Sequence, residues 1–177
     1  NNVTGNTRGI YLDYSLENSI HGNDLTRNIQ GITLSVSTSN SISGNNLAAN
    51  GQGIHFSSVI FWESMNEGDT TYDVPNIYGA SYNCISRNNL VGNTYGVWIS
   101  LSSNNTFSSN NFINNTHQAN FENPLANSFT EVNPEIIENV SASNWDDGTT
   151  GNYWGDYEGR YPNASKLDGS GTWNTPY

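Results

Sequence analysis

The chain has 177 residues, 34% of them hydrophobic and 12% charged, with 16 acids against five bases and a formal net charge of −11. Phosphate backbones need a basic surface, so this balance argues against nucleic acid and fits cations, neutral glycans or plain solubility. No apolar run approaches the ~20 residues of a membrane-spanning helix, so no membrane insertion is expected.

Laid out at a period of 22, the chain falls into columns. In chain order they are Val3, Leu25, Leu47, Leu90, Phe112; then Asn6, Asn28, Asn50, Asn93, Asn115; then Gly9, Gly31, Gly53, Gly96. Each of those glycines is followed by Ile10, Ile32, Ile54 or Val97, and two residues later by Leu12, Leu34, Phe56 or Ile99. Next come Asn18, Asn40, Asn83, Asn105, Asn127, with Ile20, Ile42, Ile85, Phe107, Phe129 two places on. The last column is Asn23, Asn45, Asn88, Asn110. Apolar and polar residues alternate within each block, the mark of half-buried strands, and no block shows helical spacing. Three short strands per unit predict one coil of a solenoid, with like residues stacked at roughly 4.8 Å. The predicted fold is an all-β, single-stranded, right-handed parallel β-helix; the hand follows from the general right-handedness of parallel crossovers. Asparagine suits the corners, because it tolerates left-handed backbone and can bond along the stack. Cys84, beside Ile85 and without a partner cysteine, is expected to be a buried, inert thiol. The chain opens in mid-repeat and carries no signal peptide, so upstream residues are expected.

Every step is 22 except one of 43, which hides an unpatterned stretch at about residues 58–80. It reads as a loop thrown out from the solenoid, with Trp62, Tyr72 and Tyr78 beside Glu63, Glu67, Asp69 and Asp73. Such a loop suits a sugar or a cation, or packs as a flap on the solenoid wall.

After residue 126 the period fades; Asn127 to Phe129 opens one more coil and Glu135 to Ser141 offers a last strand. A solenoid end exposes core and unpaired backbone, and Trp145, Tyr153, Trp154, Tyr157 and Trp173 are expected to cover it. The reading therefore divides the chain into a β-helix over 1–143 and a capping module over 144–177.

The repeat unit Asn40-Ser-Ile-Ser-Gly-Asn-Asn-Leu47 and the tail resemble the NosD-like, or CASH-type, parallel β-helix family. The tail motifs are Asn144-Trp-Asp-Asp-Gly148, Gly151-Asn-Tyr-Trp-Gly-Asp-Tyr157, Asp168-Gly-Ser-Gly171 and Thr175-Pro-Tyr177. Archaeal surface proteins hold many members, so the resemblance implies an extracellular or cell-surface location. It also implies a possible Ca²⁺ site at Asp168, Ser170 and Asn174, where family tails carry more carboxylates; a hydrogen-bonded turn is the alternative. A copper-related role attaches to the family name. Copper favours His, Cys and Met, but His21, His55, His117, Cys84 and Met65 have no two at ligand spacing, so copper is not expected.

The outward positions of the Gly-Ile-x-Leu strand read Tyr11, Thr33, His55, Trp98, then Asp13, Ser35, Ser57, Ser100. Paired carboxylates for hydrolysis are missing there unless the excursion brings Glu63 or Asp73. Tyr11, His55, Trp62 and Trp98 are the candidate glycan contacts; no catalytic residue is assigned. Asn2, Asn104, Asn114, Asn139 and Asn163 stand in N-x-S/T sequons, as candidates for N-glycosylation. Together these features predict a non-catalytic structural or adhesion module of a surface, sheath or filament protein, partnered by glycans, by copies of itself or by other surface proteins. The alternative is a polysaccharide-binding or polysaccharide-degrading hydrolase or lyase domain.

Overall fold

The structure, a computed structural model, describes residues 1–68, 70–125 and 143–166. Asp69, the expected strand at 135–141, Asn139, Trp173 and the Asp168, Ser170, Asn174 set lie outside the described residues.

The chain winds as coils of three strands. In order these are β1 (Asn2–Thr4), β2 (Arg8–Asp13), β3 (Ser19–His21), β4 (Asp24–Thr26), β5 (Gln30–Ser35), β6 (Ser41–Ser43), β7 (Asn46–Ala48) and β8 (Gln52–Ser57). After β9 (Val59–Glu67) and β10 (Thr70–Tyr78) the coils resume with β11 (Cys84–Ser86), β12 (Asn89–Val91), β13 (Tyr95–Ser100), β14 (Thr106–Ser108), β15 (Asn111–Ile113) and β16 (His117–Glu122). The tail adds β17 (Tyr153–Trp154) and a single helical turn, α1 (Tyr157–Arg160). Strands one coil apart pair in parallel, giving three sheets: β2-β5-β8-β13-β16, β3-β6-β11-β14 and β1-β4-β7-β12-β15-β17. The register is that of the columns: Ile10 lies on Ile32 and Ile32 on Ile54, Ile42 on Ile85, and Leu47 on Leu90. The chain is a parallel β-helix with a 22-residue coil.

The inward residues form one core of stacked ladders, with Ile32, Leu34, Ile42, Leu47, Ile54, Phe56, Ile85 and Leu90 fully buried. Between the apolar ladders run three ladders of asparagine. The backbone N–H and the Nδ2 of Asn45 both donate to Oδ1 of Asn88, at 2.9 and 3.0 Å. Asn88 Nδ2 in turn donates to Oδ1 of Asn110 at 3.0 Å and to the Ile42 carbonyl at 2.9 Å. The same pattern recurs from Asn6 to Asn115 and from Asn18 to Asn105. Each interior amide thus fills both donors and both lone pairs, which is what makes its burial tolerable.

The left-handed backbone falls one residue earlier than expected. Glu17, Ser39, Tyr82 and Asn104 have φ of 56 to 58°, and each directly precedes a ladder asparagine. Arg27, Ala49 and Arg87 do the same at the other corners. The corner residue carries the strain while its asparagine neighbour turns inward and fixes the turn by four hydrogen bonds. Cys84 also departs from expectation. It is exposed, because strand alternation points Ile85 inward and therefore Cys84 outward.

The glycine column has a different origin from the corners. A Cβ on Gly53 would sit 2.5 Å from the Gly96 carbonyl oxygen and 3.1 Å from Leu90 Cδ2, whereas Gly44 has φ +62° and open space around it. Gly53→Ala is expected to cost about 2 kcal/mol or more by overpacking, and Gly44→Ala only about 1 kcal/mol by strain, read by urea unfolding.

The 43-residue step is an antiparallel hairpin. It pairs β9 with β10 from Val59↔Tyr78 to Glu67↔Thr70 and leaves the solenoid at the corner after β8. The expected loop is therefore an ordered two-stranded arm. Phe61 packs edge-on to Tyr78 at 5.9 Å, and both remain half exposed.

The C-terminal segment continues the ladders. Asn152 takes the next place after Asn110, receiving its N–H at 3.0 Å and its Nδ2 at 2.9 Å. Trp145 stacks on Phe107, and Trp154 on Phe112, each with centroids 4.4 Å apart. Between them Asp147 ties a turn, accepting hydrogen bonds from the Thr149 hydroxyl and from the Thr150 and Thr149 N–H groups. Those bonds, the hydroxyl first, hold its carboxyl down at about 2, so the turn keeps its charge well into acid.

Candidate functional site

The long strands β2, β5, β8, β13 and β16 present one continuous outward face. Pairing brings three columns onto it. The first is Arg8, Gln30, Gln52, Tyr95, His117; the second is Tyr11, Thr33, His55, Trp98, Asn120; the third pairs Asp13, Ser35 and Ser57, then separately Ser100 and Glu122, its register interrupted where the hairpin leaves after β8. Five strands span four coil spacings, roughly 19 Å.

At the β2 end the side chains form a hydrogen-bonded row. Arg8 lies over the Tyr11 ring at 4.4 Å, and its Nε donates to Gln30 Oε1 at 3.1 Å. Thr33 Oγ1 donates to the same oxygen at 3.1 Å. Gln30 Nε2 is 2.8 Å from Gln52 Oε1 and 2.8 Å from His55 Nδ1. Burial holds the His55 imidazole below its ordinary proton affinity; Glu122 opposes this and Arg8 adds to it.

At the β16 end the row turns aromatic. Tyr95 stacks on His117 at 5.0 Å and meets Trp98 edge-on at 4.5 Å. Trp98 Nε1 donates to Glu122 Oε2 at 3.0 Å, which fixes the indole on the surface. The face therefore offers ring surfaces beside amide donors and acceptors, the combination that receives sugar rings and their hydroxyls.

Of the expected contacts, His55 and Trp98 are neighbours in one column, and Tyr11 lies in the same column beyond Thr33. Trp62 lies on β9, opposite Pro75 of the hairpin, and not on the long-strand sheet. The column Arg8, Gln30, Gln52, Tyr95, His117 was missed by sequence reasoning. Its signal was available, since each member stands directly before a column position that is glycine in four coils of five.

Among the described residues the carboxylates of this face are not paired. Asp13 and Glu122 lie at opposite ends of the sheet, roughly 19 Å apart, against the ~5 to 9.5 Å of a hydrolytic pair. Glu63 bonds Asn76 and Asp73 bonds Ser64, on opposite faces of the hairpin by strand alternation, so they cannot both turn to the sheet. Among the described sequons, Asn2, Asn104, Asn114 and Asn163 are all exposed.

Comparison with known families finds a match. A family model described as Periplasmic copper-binding protein (NosD) matches residues 1–68 and 74–159. Neither the curated proteins nor the solved structures gave a match. The copper of that description does not fit the donors present: among the described residues no three of His, Cys, Asp or Glu come together to hold a metal ion. His21 and Cys84 lie on the β3-β6-β11-β14 sheet, His55 faces Gln30 and His117 is stacked on Tyr95 on another sheet, and Met65 is on the hairpin. The match nonetheless runs through the coils and into the aromatic cap. The chain belongs to the NosD family of parallel β-helix proteins.

Proposed function

We propose that this chain is an exported, non-catalytic module of a cell-surface, sheath or filament protein, and that the long-strand face is where it contacts glycans. The observation that carries the reading is the unbroken run from the Arg8–Gln30–Gln52–His55 row to the Tyr95–Trp98–His117 cluster. Amphipathic rings held by their own polar partners lose little freedom on binding, and the amides beside them match hydroxyl groups. The separation of Asp13 from Glu122 supports binding without bond cleavage. The family's periplasmic description and the exposed sequons support an exported location. No helix among the described residues is long and apolar enough to cross a membrane.

A glycan array tests the reading. Retention of the native protein on at least one glycan is expected, with roughly tenfold weaker binding for Trp98→Ala from the lost stacking surface. Retention unaffected by Trp98→Ala would place binding elsewhere. Release of reducing ends from the bound polysaccharide would replace the binding module with a hydrolase, and release of unsaturated ends with a lyase.

A further inference from the structure

Gln30 has every polar atom committed, and its orientation is not arbitrary. A guanidinium only donates, so Arg8 Nε at 3.1 Å fixes Oε1 as the end of the amide that faces it. The amide nitrogen then faces Gln52 Oε1 and His55 Nδ1, each at 2.8 Å. An amide N–H also only donates. His55 Nδ1 must therefore accept, which makes the imidazole neutral with its proton on Nε2.

We propose that Gln30 and His55 form a proton-operated switch in the outward face. The row is closed while His55 Nδ1 is bare and opens when that nitrogen takes a proton. Protonation sets an N–H of His55 against an N–H of Gln30. Turning the amide over presents Oε1 to His55, but it then points Nε2 at Arg8 and strips Gln52 of its donor. No orientation of Gln30 serves Arg8 and a protonated His55 together, so opening the row releases Arg8 Nε from Gln30 and leaves the guanidinium on the Tyr11 ring. This holds whatever the face binds.

The charged and titratable groups on the outward side of the sheet are Arg8, Tyr11 and Asp13 on β2, Tyr95 on β13, and His117 and Glu122 on β16; β5, which supplies Gln30, carries none. Burial is the largest influence on His55 and disfavours its protonation; Glu122 favours it and Arg8 disfavours it, with a net fall below 6.5. The closed row is thus the form at neutral pH. The unfolded histidine binds a proton at about 6.5 and the folded one only below that. The stability contributed is complete above 6.5 and is lost as pH falls from there through the folded value.

Side-chain NMR of the labelled chain between pH 8 and pH 4 tests the switch. The neutral His55 is expected as the Nε2–H tautomer, titrating below 6.5, with the Gln30 NH₂ signals moving at the same midpoint. Gln30→Glu supplies a carboxylate that accepts from both neighbours, and is expected to raise the His55 midpoint by at least one unit, tenfold in proton affinity. A neutral Nδ1–H tautomer, Gln30 signals indifferent to the His55 titration, or an unmoved midpoint in Gln30→Glu would each overturn the proposal. The first two are read on the native chain and need no variant to fold.

Discussion

Replacing Asn88 with alanine is expected to remove about 3–5 kcal/mol of stability, among the largest effects of any single polar substitution in this chain. Asn88 is fully buried in the middle of its ladder. Truncation leaves the Asn45 backbone N–H without a partner in a dry interior, at about 1–3 kcal/mol, takes an acceptor from Asn45 Nδ2 and one donor each from the Ile42 carbonyl and Asn110 Oδ1, and opens a void besides. The adjacent Asn89 is the control. It is exposed, and its amide oxygen serves only Asn111 across the surface, so Asn89→Ala should change stability by about 0.5 kcal/mol or less. Asn88→Asp sharpens the test. It keeps the acceptor for Asn45 but replaces the two donors with oxygen facing Asn110 Oδ1 and the Ile42 carbonyl. Burial and that repulsion raise the folded pKa of the new carboxyl above its unfolded value of about 3.9. The variant should therefore be least damaged below pH 4 and lose further stability as pH rises through the folded pKa. Urea unfolding at pH 4 and pH 7 reads both effects; equal losses for Asn88→Ala and Asn89→Ala would mean the ladder contributes nothing.

The Asn88–Asn89 pair also shows where the sequence was legible. Column identity barely tells the two apart, since Asn2, Asn46, Asn89 and Asn111 also stack with Asp24 among them, but register and alternation together do: Asn89 stands beside the inward Leu90 and points outward, while Asn88 stands at the corner before the strand in an unbroken asparagine column. The same logic identified the core ladders and the coil length, because a parallel solenoid converts sequence period directly into vertical stacking. Reasoning failed where a property depends on direction within the coil. Left-handed φ was assigned to the ladder asparagines but belongs to the residue before each, which is glycine at Gly22, Gly44 and Gly92 yet Glu17, Arg27 or Tyr82 elsewhere. Cys84 was placed inside on the strength of its apolar neighbour, although alternation next to Ile85 already pointed it outward. The excursion became a hairpin through pairing such as Trp62↔Pro75, which has no periodic signature and ends in a tight turn at Gly68. The outward face of the long strands was half legible. The column of Tyr11, His55 and Trp98 was read, while the amide row was overlooked because arginine, glutamine, tyrosine and histidine share no class. Only their hydrogen bonds make them one group.

Removing Trp145 and Trp154 is expected to fray the solenoid from its C-terminal end while leaving its middle intact. Trp145 and Trp154 extend two core ladders that grow in size toward that end, from Ile85 through Phe107 to Trp145 and from Leu90 through Phe112 to Trp154. Each stacked ring is mostly but not fully buried against the core, so each single alanine variant should cost about 2–3 kcal/mol, below the ~3–5 of a fully buried tryptophan. The rings also lie 5.4 Å from one another, so the double variant should depart from additivity. The backbone is coupled to the rings: Phe107 donates to the Asn144 carbonyl at 2.8 Å and Gly155 to the Phe112 carbonyl at 2.7 Å. Without the tryptophans those bonds open, and β14 and β15 become bare edges beside exposed Phe107 and Phe112. Such an end invites pairing with other chains, so Trp145→Ala/Trp154→Ala should run as oligomers in size-exclusion chromatography at concentrations where the native chain does not. Because each coil contacts only its neighbours, hydrogen exchange should quicken at Phe107, Ser109 and Asn111 yet stay slow at Ser41 and Asn46. Uniformly faster exchange along the whole chain would show that the coils unfold as one unit and that the tail acts as more than a local cover.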